Sequence, residues 1–272
     1  MSGFGGPGFQ VIDNTELGTH FAFVEGTSTL YTGEIVYSYR YGMETLGVAA
    51  GFGNLSNKKV PYGIVIAGNN KLKTYGSSAY GSAESTVGVN TAAGQIARDF
   101  RGAEGMHPKG DPVPMVQLAM IGPSTRIRGR LFNASYGTAP TVAIAASGLS
   151  TAAMVTNNID VATVAYNSVC YCRSGANRGL YRVVNSAHDT THTFAKEFPY
   201  TIVAGDTFVF GPRQGLAKVQ FDALAQYIDV AGACTSAYYY INVLRTSLEV
   251  AGEEHVIFTF NPVTFLPAIA AS

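Results

Sequence analysis

The amino-acid sequence predicts an all-β protein of mainly antiparallel sheets, closed as a barrel or packed as a sandwich, with one or two short helices and an extended N-terminal arm. Three observations predict it. Short apolar runs alternate with period two along most of the chain, most plainly from Tyr166 to Phe210, and that period marks half-buried strands. Turn formers punctuate the runs, drawn from 31 Gly and 11 Pro. Tyr and Phe number 16 and 15 while charged residues make up 13% of the 272, against about 25% in ordinary globular chains.

Residues 1–28 form the arm. Its first ten residues, MSGFGGPGFQ, set Phe4 and Phe9 among glycines. Such a segment builds no core of its own, so it is either a disordered tail with no role or a flexible arm whose aromatics are free to dock elsewhere, as over an adjacent chain. Removing those ten residues is then expected to weaken assembly without unfolding the protein. Leu30 to Arg40 alternates through Tyr31, Ile35, Tyr37 and Tyr39, with Gly33 marking a bulge. Tyr62 to Ala67 is a continuous apolar run bounded by Gly63 and Gly68, a buried strand. Asn69 to Gly94 reads as a long polar loop, and loops of that length usually bind something or move.

Ala92, Ile96, Ala97 and Phe100 are spaced for a helix over Ala92 to Phe100. Met115 to Ile121 is a second buried strand, stopped by Gly122-Pro123. Arg126, Arg128 and Arg130 then alternate with Ile127, Gly129 and Leu131, so a strand turns all three guanidinium groups to one side. That side is either a phosphate or carboxylate patch or a solvated or inter-subunit sheet face. After Ser135 the chain turns Ala/Thr/Ser-rich, which divides it into β-rich domains over 29–135 and 136–272.

In the second domain, strands are expected at Val169 to Cys172, Leu180 to Asn185, Thr191 to Phe198 and Thr207 to Phe210, with turns at Ser174 to Asn177 and Ala204 to Asp206. Gln214 to Asp229 fits both periods; Ile228 and Val230 favour strand. Ala237 to Val250 and His255 to Phe260 make a hairpin whose charged tip is Glu253-Glu254.

Eighteen basic residues balance eighteen acidic ones. With no basic excess to neutralise phosphates, a dedicated nucleic-acid binder is disfavoured. A surface so poor in charge is instead expected to be covered by other chains, in a homo-oligomer or a larger assembly. Cys170, Cys172 and Cys234 are too few and too oddly numbered for a disulfide framework, and small buried side chains in a reducing compartment are expected. The N-terminus lacks a charged and an apolar signal region, and the apolar stretch Thr141 to Val155 is interrupted and falls short of the ~20 residues a membrane span needs. A soluble protein made in the cytosol, with no membrane partner, follows.

Chemistry-bearing patterns are sparse. His188 and His192 stand at i and i+4, which on a helix could hold a metal, but Asp189 and two threonines between strand candidates favour a turn. The same residues would be those of a hydrolase, if there were one; no G-x-S-x-G elbow accompanies them. No catalytic residue, cofactor or metal is expected. Tyr238 and Tyr240 share one face and Tyr239 takes the other, and with Tyr31, Tyr37 and Tyr39 they offer stacking surfaces to a sugar.

Two segments carry a resemblance. RSGANRGLYRV and FPYTIVAGDTFVF, within Cys172 to Phe210, and VQFDALAQYIDV and HVIFTF, within Val219 to Phe260, are similar to blocks in structural proteins of tailed-bacteriophage virions. GEIV at Gly33 to Val36 and GIVIAG at Gly63 to Gly68 match more loosely. The resemblance implies a capsid decoration, or cement, protein: β-rich, trimeric, carried on the capsid exterior after assembly in the host bacterial cytoplasm. It would bind the major capsid protein where capsomers meet and hold the shell against internal DNA pressure. A tail or fibre component that binds a receptor or glycan is the alternative. The protein-contact candidates are Phe4, Phe9, Arg126, Arg128 and Arg130.

Overall fold

The structure, a computed structural model, describes residues 8–13, 17–23, 29–39, 42–46, 59–68, 89–90, 95–99, 115–132, 142–156, 168–188, 191–221, 227–229 and 238–266. The first strands are β1 (Gln10–Asp13), β2 (Thr19–Phe23), β3 (Thr29–Tyr31), β4 (Ile35–Tyr39), β5 (Gly42–Thr45) and β6 (Pro61–Gly68). Next come β7 (Val89–Asn90), β8 (Gln95–Asp99), β9 (Met115–Met120), β10 (Arg126–Phe132), β11 (Val142–Ser147) and β12 (Ala153–Thr156). The last are β13 (Val169–Cys172), β14 (Tyr181–His188), β15 (Thr191–Phe194), β16 (Thr207–Gly211), β17 (Gly215–Phe221), β18 (Tyr227–Asp229), β19 (Tyr239–Ser247) and β20 (His255–Phe260). A 3-10 turn, Pro262–Phe265, follows, its entry capped by the Asn261 side chain. The all-β expectation holds.

Three larger sheets organise these strands. The first runs β2-β9-β6-β4-β5, antiparallel throughout. Alternation gives it two apolar faces. Val36, Val65 and Leu118 pack on one side with Leu30 and Met43, while Ile35, Tyr37 and Ile64 join a larger core on the other. A short sheet, β3-β8-β7, accompanies it.

The second is a closed barrel, β11-β12-β15-β14-β13-β16, in which every neighbour is antiparallel. Closure leaves no unpaired edge to recruit other chains. Its core includes Met154, Val184, Phe194, Phe208 and Phe210. Phe194 and Phe198 meet edge-to-face at 5.0 Å between ring centroids, as do Phe198 and Phe208 at 5.8 Å.

The third sheet is ordered β1-β10-β18-β17-β19-β20, and β20 returns to pair with β10. Five strands therefore form a ring, with β1 laid against β10 outside it. The β10–β18 contact is parallel and the other ring contacts are antiparallel. Ile127, Leu131, Phe221, Tyr239, Phe258 and Phe260 fill the inside.

Several expectations are corrected. Gln95–Asp99 is a strand, not a helix: it pairs with Thr29–Tyr31 on one side and Val89–Asn90 on the other. Ladder bonds to two distant segments outweigh a local helical spacing. Helical structure among the described residues is the single 3-10 turn. Within the expected arm, Gln10–Asp13 pairs with β10 and Thr19–Phe23 with β9, so both are sheet. The composition shift after residue 135 does not separate the sheets, because β10 lies in the same ring as β17 to β20. Gly33 marks a turn, at φ +87°, between β3 and β4. Of the expected loop from Asn69 to Gly94, residues 89–90 are strand and 69–88 and 91–94 lie outside the described residues. Gln214 to Asp229 holds two strands, in line with its β-branched residues.

Candidate protein-contact surface

The arginine strand is built as its alternation demands. Ile127, Gly129 and Leu131 are buried, while Arg126 is exposed and Arg128 and Arg130 are half-buried on the opposite face. Directly paired residues share a face. Across β20, Arg128 lies opposite Ile257 and Arg130 opposite His255. Across β19, Ile257 lies opposite Arg245, an exposed residue just beyond a bulge. Three strands thus bring Arg245 toward the face that the sequence assigned to β10 alone. Only the β19–β20 register reveals it.

The Arg130 guanidinium is oriented by a neutral partner. Arg130 donates through Nη2 to the Gly252 carbonyl. Arg128 Nη2 stands 3.4 Å from His255 Nδ1, and that nitrogen is 2.7 Å from the Glu253 carbonyl oxygen. The shorter contact calls for a proton on Nδ1, donated to the carbonyl. Burial holds the His255 pKa below its ordinary value, and the positive charges of Arg128 and Arg245 lower it further against the opposing pull of Glu249. His255 is therefore neutral at pH 7.

Phe4 lies outside the described residues. Phe9 does not reach a neighbouring chain: it is 2% exposed, inside the five-strand ring. Its ring meets Phe221 at 5.3 Å and Phe258 at 5.9 Å, both edge-to-face. Its backbone N–H donates to the Gly33 carbonyl at 2.8 Å, and Gly33 N–H donates to Val65. Phe9 consequently ties the ring to the first sheet. The close approach requires glycine on both sides, since a Cβ on Gly8 would come within 2.8 Å of Gly33 Cα. Local composition, rich in glycine, looked like a linker; the partner cavity was not visible in it.

The expected charged tip Glu253-Glu254 is half right. Glu253 is exposed, but Glu254 is 3% exposed and ion-paired with Arg173. Arg173 also donates to the Leu248 carbonyl at 3.1 Å. Tyr181 Oη accepts from Leu248 N–H at 2.9 Å, and Thr246 Oγ1 donates to Pro212 O at 2.6 Å. These contacts join the six-stranded barrel to the five-strand ring, and Tyr171 and Val209 pack into the ring's core cluster.

The remaining candidates are structural in their surroundings. His188 and His192 sit on two paired strands, with His188 opposite Thr191. His192 is buried, 5.2 Å from the Phe210 ring centroid, and burial pulls its pKa down to about 4. Among the described residues no three His, Cys, Asp or Glu side chains gather to hold a metal. Cys170 and Cys172 are free and buried, as the sequence suggested; burial raises both thiols, Cys172 to about 11. Cys234 lies outside the described residues. Tyr238 and Tyr240 do share the outer face, with Tyr239 buried. Their rings meet at 76°, and Lys218 Nζ stands 3.7 Å above the Tyr238 ring, where a sugar would stack. Tyr37 is buried and carries no open face.

Fold and surface together define a class: an all-β protein of joined barrels with an arginine-bearing outer face. No family model matches the chain, and comparisons with curated proteins and with solved structures likewise return no match. Among the described residues no helix is long and apolar enough to cross a membrane.

Proposed function

We propose that this protein is a structural subunit of a tailed-phage virion, a decoration protein that binds the capsid exterior and stabilises the shell by clamping neighbouring capsid subunits. The observation that carries the reading is apolar exposure on a chain that is only 13% charged. Leu216, Tyr200, Val203, Leu266 and Val250 are 65%, 60%, 59%, 57% and 56% exposed. Side chains of this kind are useful to a protein whose surface is covered in its working state.

Tyr200 is also pre-positioned. The buried Asn177 side chain donates to the Tyr200 carbonyl at 2.8 Å and accepts from its N–H at 3.1 Å. Val203 N–H donates to Asp206 Oδ2 at 3.0 Å. A loop held in this way loses little further freedom on binding. The resemblance of the Cys172 to Phe210 block adds the virion, the capsid partner and a trimeric arrangement to the same reading. A receptor-binding role is less well served, because Lys218 occupies the face of Tyr238.

The test is addition of purified protein to expanded heads lacking it. Saturable binding at a fixed number of copies per shell, with DNA release moved to higher temperature, is expected. A protein that stays a solitary monomer at high concentration and ignores the shells would overturn the reading.

A further inference from the structure

We infer that the Phe9 seat of the five-strand ring is exchangeable: the Gly8–Asp13 segment of a second copy of this chain enters it in place of the chain's own. The inference rests on the assembly reading and names one contact between copies within it.

The ring closes without this segment. β20 pairs with β10 from Ile127 opposite Phe258 to Arg130 opposite His255, and β1 takes no part in that closure. β1 itself pairs with β10 at three positions, with a register shift between Val11 and Asp13. Among the described residues no further strand pairs with it. Its hold is concentrated in Phe9, whose ring fills the hollow that Gly129 leaves beside Phe221 and Phe258.

The chemistry of the seat selects this sequence. Position 8 must be glycine, because a Cβ there would come within 2.8 Å of Gly33 Cα. Position 9 supplies an aromatic ring to two edge-to-face contacts and an N–H to the Gly33 carbonyl. Position 13 is an acid opposite the base Arg126. Gly8-Phe9 with Asp13 meets all three terms. Gly3-Phe4 and Gly51-Phe52 do not, since Gly8 and Ser56 stand where the acid would be. A second copy is the partner that carries the matching segment.

Exchange leaves each of these contacts intact. Five residues, 14–18, join β1 to β2, and extended they let the two strands part by about 20 Å. The tethered segment competes at an effective concentration on the order of millimolar. Copies packed side by side on a shell reach that concentration, and a dilute solution does not.

The test uses two full-length variants, Asp13→Cys and Arg126→Cys, each also carrying Cys234→Ser. Cys170 and Cys172 are buried and stay in place. Positions 13 and 126 face each other in register, at a spacing a disulfide can bridge. Equal amounts are mixed at millimolar concentration, oxidised and run on a non-reducing gel. A linked heterodimer is expected, at least about tenfold more abundant than with Lys196→Cys, an exposed site on the other barrel, in place of Arg126→Cys. Adding Phe9→Ala to the Asp13→Cys copy should lower the yield about tenfold or more. A chain carrying both cysteines should close on itself in dilute solution. No heterodimer above the Lys196→Cys background, or a yield indifferent to Phe9, would overturn the inference. So would a double-cysteine chain that stays open, because the seat would then have another register. Shell binding is measured separately, so a subunit whose copies keep their own segments would bind shells yet fail here.

Discussion

Gly129 points inward from β10, where a side chain would collide with the Phe9 ring. A Cβ there would come within 2.9 Å of Phe9 Cδ1 and 3.0 Å of Ile228 Cδ1. Gly129→Ala should therefore destabilise by about 1–3 kcal/mol, the usual cost of overpacking. Phe9→Leu combined with Gly129→Ala should cost less than the two single changes added, since the smaller side chain vacates the space. Urea midpoints of the four proteins check this, and strict additivity would refute the collision.

His192 makes a second prediction. Its pKa falls from 6.5 to about 4 because burial disfavours the charged ring. A lowered pKa means that the unfolded chain takes up the proton first as the solution is acidified. Its contribution is complete above pH 6.5 and declines as pH falls through the window down to about 4. The loss is on the order of 3 kcal/mol. The thermal midpoint of wild type should fall relative to that of His192→Leu as pH drops through that window; parallel curves would show that another group sets the acid response.

Between elements, the Arg173–Glu254 pair fastens the six-stranded barrel to the ring through one buried carboxylate. Glu254→Gln should destabilise by about 3–5 kcal/mol, because it leaves a largely buried guanidinium without its counter-charge. Arg173→Met/Glu254→Leu should lose much less, since no lone charge remains. Denaturant unfolding separates the two outcomes, and a double variant as unstable as the single would argue against this account.

The N-terminal segment calls for a revised truncation. Deleting residues 1–10 removes Phe9, a loss of the kind that costs about 3–5 kcal/mol for a buried phenylalanine. Deleting residues 1–7 keeps Phe9 and its bond to Gly33. The shorter deletion should melt like the intact protein and the longer one well below it. Equal melting of both would show that Phe9 is dispensable. A test of Phe4 in assembly belongs with the shorter deletion.

For the protein as a whole, the readable part of the sequence was its alternation. Arg126, Arg128 and Arg130 against Ile127 and Leu131, Tyr238 and Tyr240 against Tyr239, and the paired burial of Cys170 and Cys172 all follow it. Such parity is a property of one strand and its pleat, so a short stretch of chain suffices to read it. The candidate surface was legible to the same extent: three arginines were visible on β10, while Arg245 and His255 were not.

Which strands become neighbours is another matter. Bringing β20 back to β10 closes the ring, and that closure sends Phe9 inward, draws Arg245 toward the other arginines and sets Glu254 against Arg173. Each of these joins segments far apart in the chain. Their hydrogen-bond ladders and shared core are satisfied only when both sides are present, so no local pattern announces them. Charge scarcity and period-two alternation are written residue by residue; the seat of each side chain comes from the way the sheets close.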